Sequence, residues 1–430
     1  MPFMISPRYT PCDDTGASVI SRTGNPGIME PAPGHSTIGW AAMARKDRAR
    51  SFLAATAAIA ILLGTSPARA DGHDFIEEAK AICRVAACGP GENPTGIDTG
   101  TVQRHCALME KNMASYRENF IAKAGPFFAK IVPSGLPRSI VVPFGGGDLL
   151  PALVVYPNAS EITTISLESA GDPRRIMKAS PSQLAQALNM YRSTVGYLLL
   201  TNDSSNDSIR TMDRGAIPNQ LAFSLTALAI LGYEPVSLRY FRIEDDGSLH
   251  YYTGDEVSSL EKVRGRRLKG TWIDTDFSVA FRNMELAFRK RGGGRTVIHR
   301  HIAFNLDNGH FNGSPLQKHL ERKGRISAMI KGASYLPWFD NFSSVRNYCL
   351  GHMTFCVSDS TGILPKHAAD AGFRQVTYGS FSGAFLDNGG GPGAAAMRDL
   401  FRSQPARPLN FRFGYSDMHK LNHLIITSKR

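Results

Sequence analysis

The sequence predicts an α/β fold, a Rossmann-like mixed sheet with flanking helices and added antiparallel hairpins, and three observations predict it. The first is a strand–turn–helix–strand unit. Ser139-Ile140-Val141-Val142-Pro143-Phe144 is a short apolar run that reads as a buried strand, and Gly145-Gly146-Gly147-Asp148 follows as a turn. Leu149 to Tyr156 reads as a short helix, and the β-branched run Glu161 to Glu168 as a second strand. A helix between two strands implies that the strands pair in parallel. The second observation is a hairpin. Val236 to Glu244 reads as a strand, and Asp245-Asp246-Gly247 turns it into Leu249–Tyr252. The third is the continued alternation of helices and strands. Ser182 to Leu200 and Ile217 to Leu231 read as helices around the polar segment Asn202–Asp213, an expected surface loop. Phe277 to Phe288 and Thr296 to Leu306 read as strands joined by a glycine-rich turn. Ser314-Pro315 opens a helix, Ser343 to His352 forms another, and Met353–Ser358 and His423–Thr427 read as strands. No internal repeat is present.

Upstream of this domain the sequence has a different character. Arg45, Lys46, Arg48 and Arg50 precede an uncharged apolar stretch, Phe52 to Leu63, and Ala68-Arg69-Ala70 offers small residues at a cleavage site. That tripartite pattern is a secretory signal peptide over 43–70, with the mature chain starting near Asp71. The apolar stretch is shorter than the roughly 20 residues that span a bilayer. Residues 1–42 are rich in Pro, Gly and Ser and read as a non-native or disordered extension, with Met43 as the expected start. Residues 71–136 form a helical N-terminal segment, with helices at Asp74–Ala86 and Thr101–Ala124 around a Gly/Pro loop, and 137–430 form the α/β domain. The expected location is periplasmic or secreted, with no transmembrane span in the mature chain.

The formal charge of +12 falls to +9 when residues 1–70, with seven basic and four acidic residues, are removed. The densest basic clusters, Arg264-Gly265-Arg266-Arg267 and Arg289-Lys290-Arg291, come without any nucleic-acid motif. They read as solvated turns with at most weak attraction to anionic surfaces. Five cysteines remain after cleavage. Export permits disulfides, and Cys88–Cys106 or Cys83–Cys106 are the expected pairings, while Cys349 and Cys356 read as buried thiols. A zinc site is a weaker alternative, since the spacing matches no standard ligand set.

Chemistry has several candidate places. Gly145, Gly146, Gly147 and Asp148 after the first strand, with Glu168 ending the second, have the layout of a nucleotide site. Leu150 stands where the third glycine of that fingerprint belongs, and the looser pattern also looks like the first motif of Rossmann-type methyltransferases. Export argues against such cytoplasmic cofactors, so the cofactor stays unknown, and the turn reads equally as a tight βα connection. Ser358 and Asp359 end a strand, where ligands gather in open α/β sheets; Asp359 serves there either as base, ligand or turn cap. His299 and His301 alternate on a strand and face one side, and His419 and His423 are four apart; these read as surface or hydrogen-bonded histidines before they read as metal ligands. Gly379-Ser380-Phe381-Ser382-Gly383 fails the nucleophile-elbow pattern at Phe381, leaving Ser382 a weak nucleophile. Tyr335, Trp338 and their aromatic neighbours near Asp340 suit the wall of a pocket, or a hydrophobic staple ahead of an N-cap at Ser343.

The runs P-F-G-G-G-D at 143–148, A-S-Y-L at 333–336 with F-S-x-x-R at 342–346, and S-D-S-T-G-I at 358–363 resemble a family of bacterial exported proteins of unknown function. The resemblance covers roughly residues 137–430 and implies a single α/β unit without assigning catalytic roles. The reading that follows is an exported α/β protein that binds a small polar ligand at the strand ends, lined by Gly145–Asp148, Glu168 and Asp359. Its alternatives are a periplasmic hydrolase using Asp148, Glu168 or Asp359, with or without a histidine-bound metal, and an envelope interaction protein without chemistry.

Overall fold

In a computed structural model, the described residues are 72–202, 215–263, 278–332, 334, 336–383, 391–414 and 422–429. The signal segment, Arg264–Arg267, Tyr335 and His419 lie outside them. One mixed sheet of ten strands organises the domain. The strands are β1 (Ser139–Pro143), β2 (Glu161–Ser166), β3 (Tyr233–Ile243), β4 (Leu249–Tyr251), β5 (Asn283–Lys290), β6 (Val297–Ala303), β7 (Ile326–Ile330), β8 (Met353–Ser358), β9 (Phe373–Gly379) and β10 (His423–Lys429). Their spatial order is β4-β3-β5-β6-β2-β1-β7-β8-β10-β9. The centre, β6-β2-β1-β7-β8, is parallel. Antiparallel strands extend it on both sides, β5, β3 and β4 on one and β10 and β9 on the other.

The central strands are buried on both faces, which is why they read as continuous apolar or β-branched runs. One face packs under helices α1 (Ile76–Val85), α2 (Thr99–Tyr116), α3 (Ala122–Ile131), α4 (Leu149–Val155), α5 (Pro181–Thr201) and α6 (Asn219–Leu231). A π-turn at Arg117–Ile121 joins α2 to α3. The N-terminal helices therefore share the main core of the α/β unit. Helix α7 (Gly254–Leu260) joins that core through Val257. The other face carries α8 (Asn308–Phe311), α9 (Pro315–Glu321), α10 (Ser343–His352) and α11 (Pro365–Asp370), and α12 (Gly391–Arg402) follows β9. Of these, α8 to α11 supply Phe311, Leu316, Leu320, Val345 and Ala368 to a second core against Val141, Ile165 and Ala328.

Local chemistry sets the helix starts. Ser180 caps α5 with a reciprocal Gln183 box and Thr253 caps α7 with Glu256. Ser314 caps α9 ahead of Pro315. The expected N-cap at Ser343 is corrected: Phe342 holds the cap position without a side-chain bond, and Ser343 Oγ accepts from Asn308 Nδ2 at 3.0 Å. The strand expected from Phe277 begins only at Asn283, because Ser278 caps a tight turn over Val279–Phe281. Asn202, expected at the start of a surface loop, is instead buried as the left-handed cap that ends α5.

Cys88 and Cys106 form the disulfide, one of the two expected pairings, with Cα atoms 5.4 Å apart. Cys83, Cys349 and Cys356 are buried thiols. Burial pushes the Cys83 thiol up to about 11, so it stays protonated. Among the described residues no helix is long and apolar enough to cross a membrane. At the basic turn near 290, Arg289 pairs with Glu234 at 2.8 Å and Lys290 lies over the Tyr233 ring, so two of its three charges already have partners.

Candidate functional site

The five parallel strands all end at one edge, and β1 sits at their topological switch point. The chain crosses from β1 to β2 on one side, then returns to place β7 on the other. Open α/β sheets bind ligands at this kind of crevice. Four of these strands are followed by a polar residue withdrawn from solvent: Asp148 after β1, Glu168 after β2, Lys331 after β7 and Asp359 after β8.

An ion pair spans the switch point. Lys331 Nζ lies 2.8 Å from Asp148 Oδ1, with both side chains at most 1 % exposed. The same ammonium donates to the Asn202 carbonyl at 3.0 Å. Asn202 in turn accepts from the Tyr116 hydroxyl at 2.9 Å and donates to the Arg412 carbonyl at 3.3 Å. Burial, then the nearby Asp148 carboxylate, hold the Tyr116 hydroxyl far above its ordinary range, so it remains a donor. Neither Lys331 nor Asn202 was expected at the site.

Asp359 is held one strand away. Its carboxylate accepts from the Gly332 amide at 2.9 Å and from the Thr361 amide at 2.8 Å. The amide beside Lys331 thus serves Asp359 while the Lys331 side chain serves Asp148. The Thr361 bond is the turn-capping arrangement weighed in the sequence, so Asp359 organises the loop after β8. Ser358 Oγ and Ser360 Oγ flank it, buried and without a hydrogen-bond partner among the described residues. Trp338 braces the same loop through an Nε1–H donated to the Gly362 carbonyl at 2.8 Å.

The glycine turn faces inward. A Cβ on Gly146 would come within 2.4 Å of Ser166 Oγ and 2.5 Å of Gln220 Nε2, and one on Gly145 within 2.5 Å of Val142 Cγ1. Gly145 and Gly146 let the turn pack onto β1, β2 and α6, as a tight βα connection does. Asp148 takes the N-cap position of α4. Its side chain does not cap the helix, and Oδ1 pairs with Lys331 instead.

Glu168 closes the row through its backbone. Its carbonyl is 2.8 Å from His301 Nε2. Thr164 Oγ1 lies 3.2 Å from His301 Nδ1 and 2.9 Å from His299 Nε2. Burial lowers His299 to about 3 and His301 to about 4, so both are neutral at pH 7. The directions of this chain then follow. A carbonyl only accepts, so His301 carries its proton on Nε2 and accepts from the Thr164 hydroxyl, which accepts from His299 Nε2–H. His299 Nδ1 is left as a buried lone pair without a partner among the described residues. The two histidines do face one side, as the alternation predicts, but inside the core and not at the surface. Asp340, considered alongside the aromatics, is fully exposed.

No protein-family model matches this sequence, and no curated protein or solved structure is significantly similar to it.

Proposed function

We propose that this is an exported protein that binds a small polar ligand at the carboxyl-terminal edge of its parallel strands. The observation that carries the reading is the Asp148–Lys331 pair buried across the switch point. Withdrawing two charges from water costs several kcal/mol per ion before their attraction is counted, and apolar residues of similar size fill such a position at no loss of stability. Charge kept there, with Glu168 and Asp359 at the neighbouring strand ends, suits recognition better than packing. The signal-like segment ahead of Asp71 favours a ligand met outside the cytoplasm.

A hydrolase draws less support. A general base must be able to take a proton. Asp148 is committed to Lys331, and Asp359 to two backbone amides. Thermal unfolding of the chain with monosaccharides, amino acids, polyamines, dicarboxylates and adenosylmethionine tests the proposal. One class is expected to stabilise the protein, by about 2.7 kcal/mol at 100-fold its Kd. No stabilisation by any of them counts against it. Sequencing the amino terminus of the exported protein tests the localisation, with Asp71 expected.

A further inference from the structure

The disulfide has a third group beside it. Cys88 follows α1 in a left-handed conformation, φ 58°, that turns its side chain toward α2. Cys106 lies on α2, next to His105. The ligand atoms of Cys88, His105 and Cys106 all fall within 4.8 Å of one another.

The imidazole is prepared for one role. His105 is buried, and its Nε2 is 2.8 Å from the Ala86 carbonyl. The carbonyl can only accept, so the proton sits on Nε2 and the neutral ring keeps a lone pair on Nδ1. Metal-ligating histidines are held in this way, with one nitrogen donating to a carbonyl and the other free to coordinate. Arg192 Nη1 lies 3.5 Å from Nδ1 and can only donate to it, so a metal at Nδ1 replaces that long hydrogen bond.

We propose that reduction of the Cys88–Cys106 disulfide converts this cluster into a three-coordinate Cu(I) site, with two thiolates and His105 Nδ1 as ligands. The S–S bond breaks as an external dithiol is oxidised to its own disulfide and passes two protons to the thiols, or as a phosphine is oxidised to its oxide with the oxygen and two protons of one water. Each thiol gives up its proton when the metal binds. Thiolates select soft cations, and a three-ligand set matches Cu(I) better than Zn(II), which takes four in structural sites. Charge points the same way. Cu(I) with two thiolates carries one negative charge, which the Arg192 guanidinium balances, whereas a divalent ion would leave that guanidinium without a counter-charge. In the oxidised protein both sulfurs are bonded to each other, so the site is gated by redox state.

The test is an anaerobic competition between the purified chain and the coloured Cu(I)–bicinchoninate complex. Phosphine-reduced protein is expected to remove one equivalent of Cu(I), and oxidised protein none. His105→Ala should weaken the affinity by about tenfold or more. The Cys88→Ser/Cys106→Ser double variant should lose the site while keeping its circular-dichroism spectrum. No uptake by the reduced chain overturns the proposal. Equal uptake by the double variant also overturns it, since the copper would then sit on Cys83, Cys349 or Cys356.

Discussion

Two buried ionic clusters lie on the same sheet and differ in what surrounds them. One is the Asp148–Lys331 pair at the switch point. The other lies on the wing, where Glu285 on β5 meets Arg300 at 2.7 Å and Arg239 at 2.6 Å. Arg300 also reaches Glu161 at 2.9 Å, and Lys323 and the Tyr251 hydroxyl complete the group. The wing cluster stands on paired strands: Glu285 is opposite Arg300, and Arg239 opposite Glu285. Its charges tie neighbouring strands together. The central pair stands on two loops that leave adjacent strands at the carboxyl-terminal edge, where open α/β sheets as a class bind ligands. Burial of charge alone therefore does not mark a site; position relative to the strand ends does.

The comparison can be broken by mutation. Lys331→Met takes the ammonium away from the buried Asp148 carboxylate, and should cost about 3–5 kcal/mol in urea unfolding. Asp148→Leu with Lys331→Met removes both charges and should recover most of that loss. If the single variant is as stable as the parent, the pair is not what holds the two loops. Glu285→Gln should cost about 3 kcal/mol by the same mechanism, yet leave ligand-induced stabilisation intact. A loss of ligand response in Glu285→Gln would merge the two clusters into one functional unit.

Acid separates the regions along another axis. His299 and His301 have folded pKa values of about 3 and 4, below an unfolded value near 6.5. The unfolded chain binds more protons in that interval, so their contribution is full above about 6.5 and is lost as pH falls toward 4. At pH 5 the loss approaches about 2 kcal/mol for each ring. Glu161 is lowered to about 2 against the opposition of its own burial, by Lys323 and Arg300. Its contribution is present above about 4.5 and is lost as pH falls through about 2. Unfolding free energy measured from pH 7 to 3 should first decline below 6.5, and His299→Gln should flatten that part. An unchanged slope in the variant would remove His299 as the cause. The smallest effect is expected at Ser180→Ala, about 1 kcal/mol from the lost α5 cap.

The βαβ unit, the hairpin and most strands were legible because each is a run of one period closed by a turn residue. Strands β7 and β9 were not. Ile326–Ile330 is only five residues without alternation, and Phe373–Gly379 mixes Arg, Gln and Thr into a strand at the sheet's edge. Missing β7 hid Lys331, although a lysine between an apolar run and Gly332 was its signal. Asn202 was hidden because polar residues after a helix resemble a loop, whereas it is held by Lys331, Tyr116 and Arg412 from elsewhere in the chain. Asp148, Glu168 and Asp359 were visible because each follows a recognisable strand. The partners that fix their chemistry come from elsewhere in the chain, and only tertiary structure brings them near.

The most direct test is a thermal-unfolding titration of the chain and its Asp148→Leu/Lys331→Met variant against the same small polar solutes. The account predicts a saturable rise in the midpoint for one class of solute with the parent, and none with the variant. A rise of equal size in both proteins would contradict it.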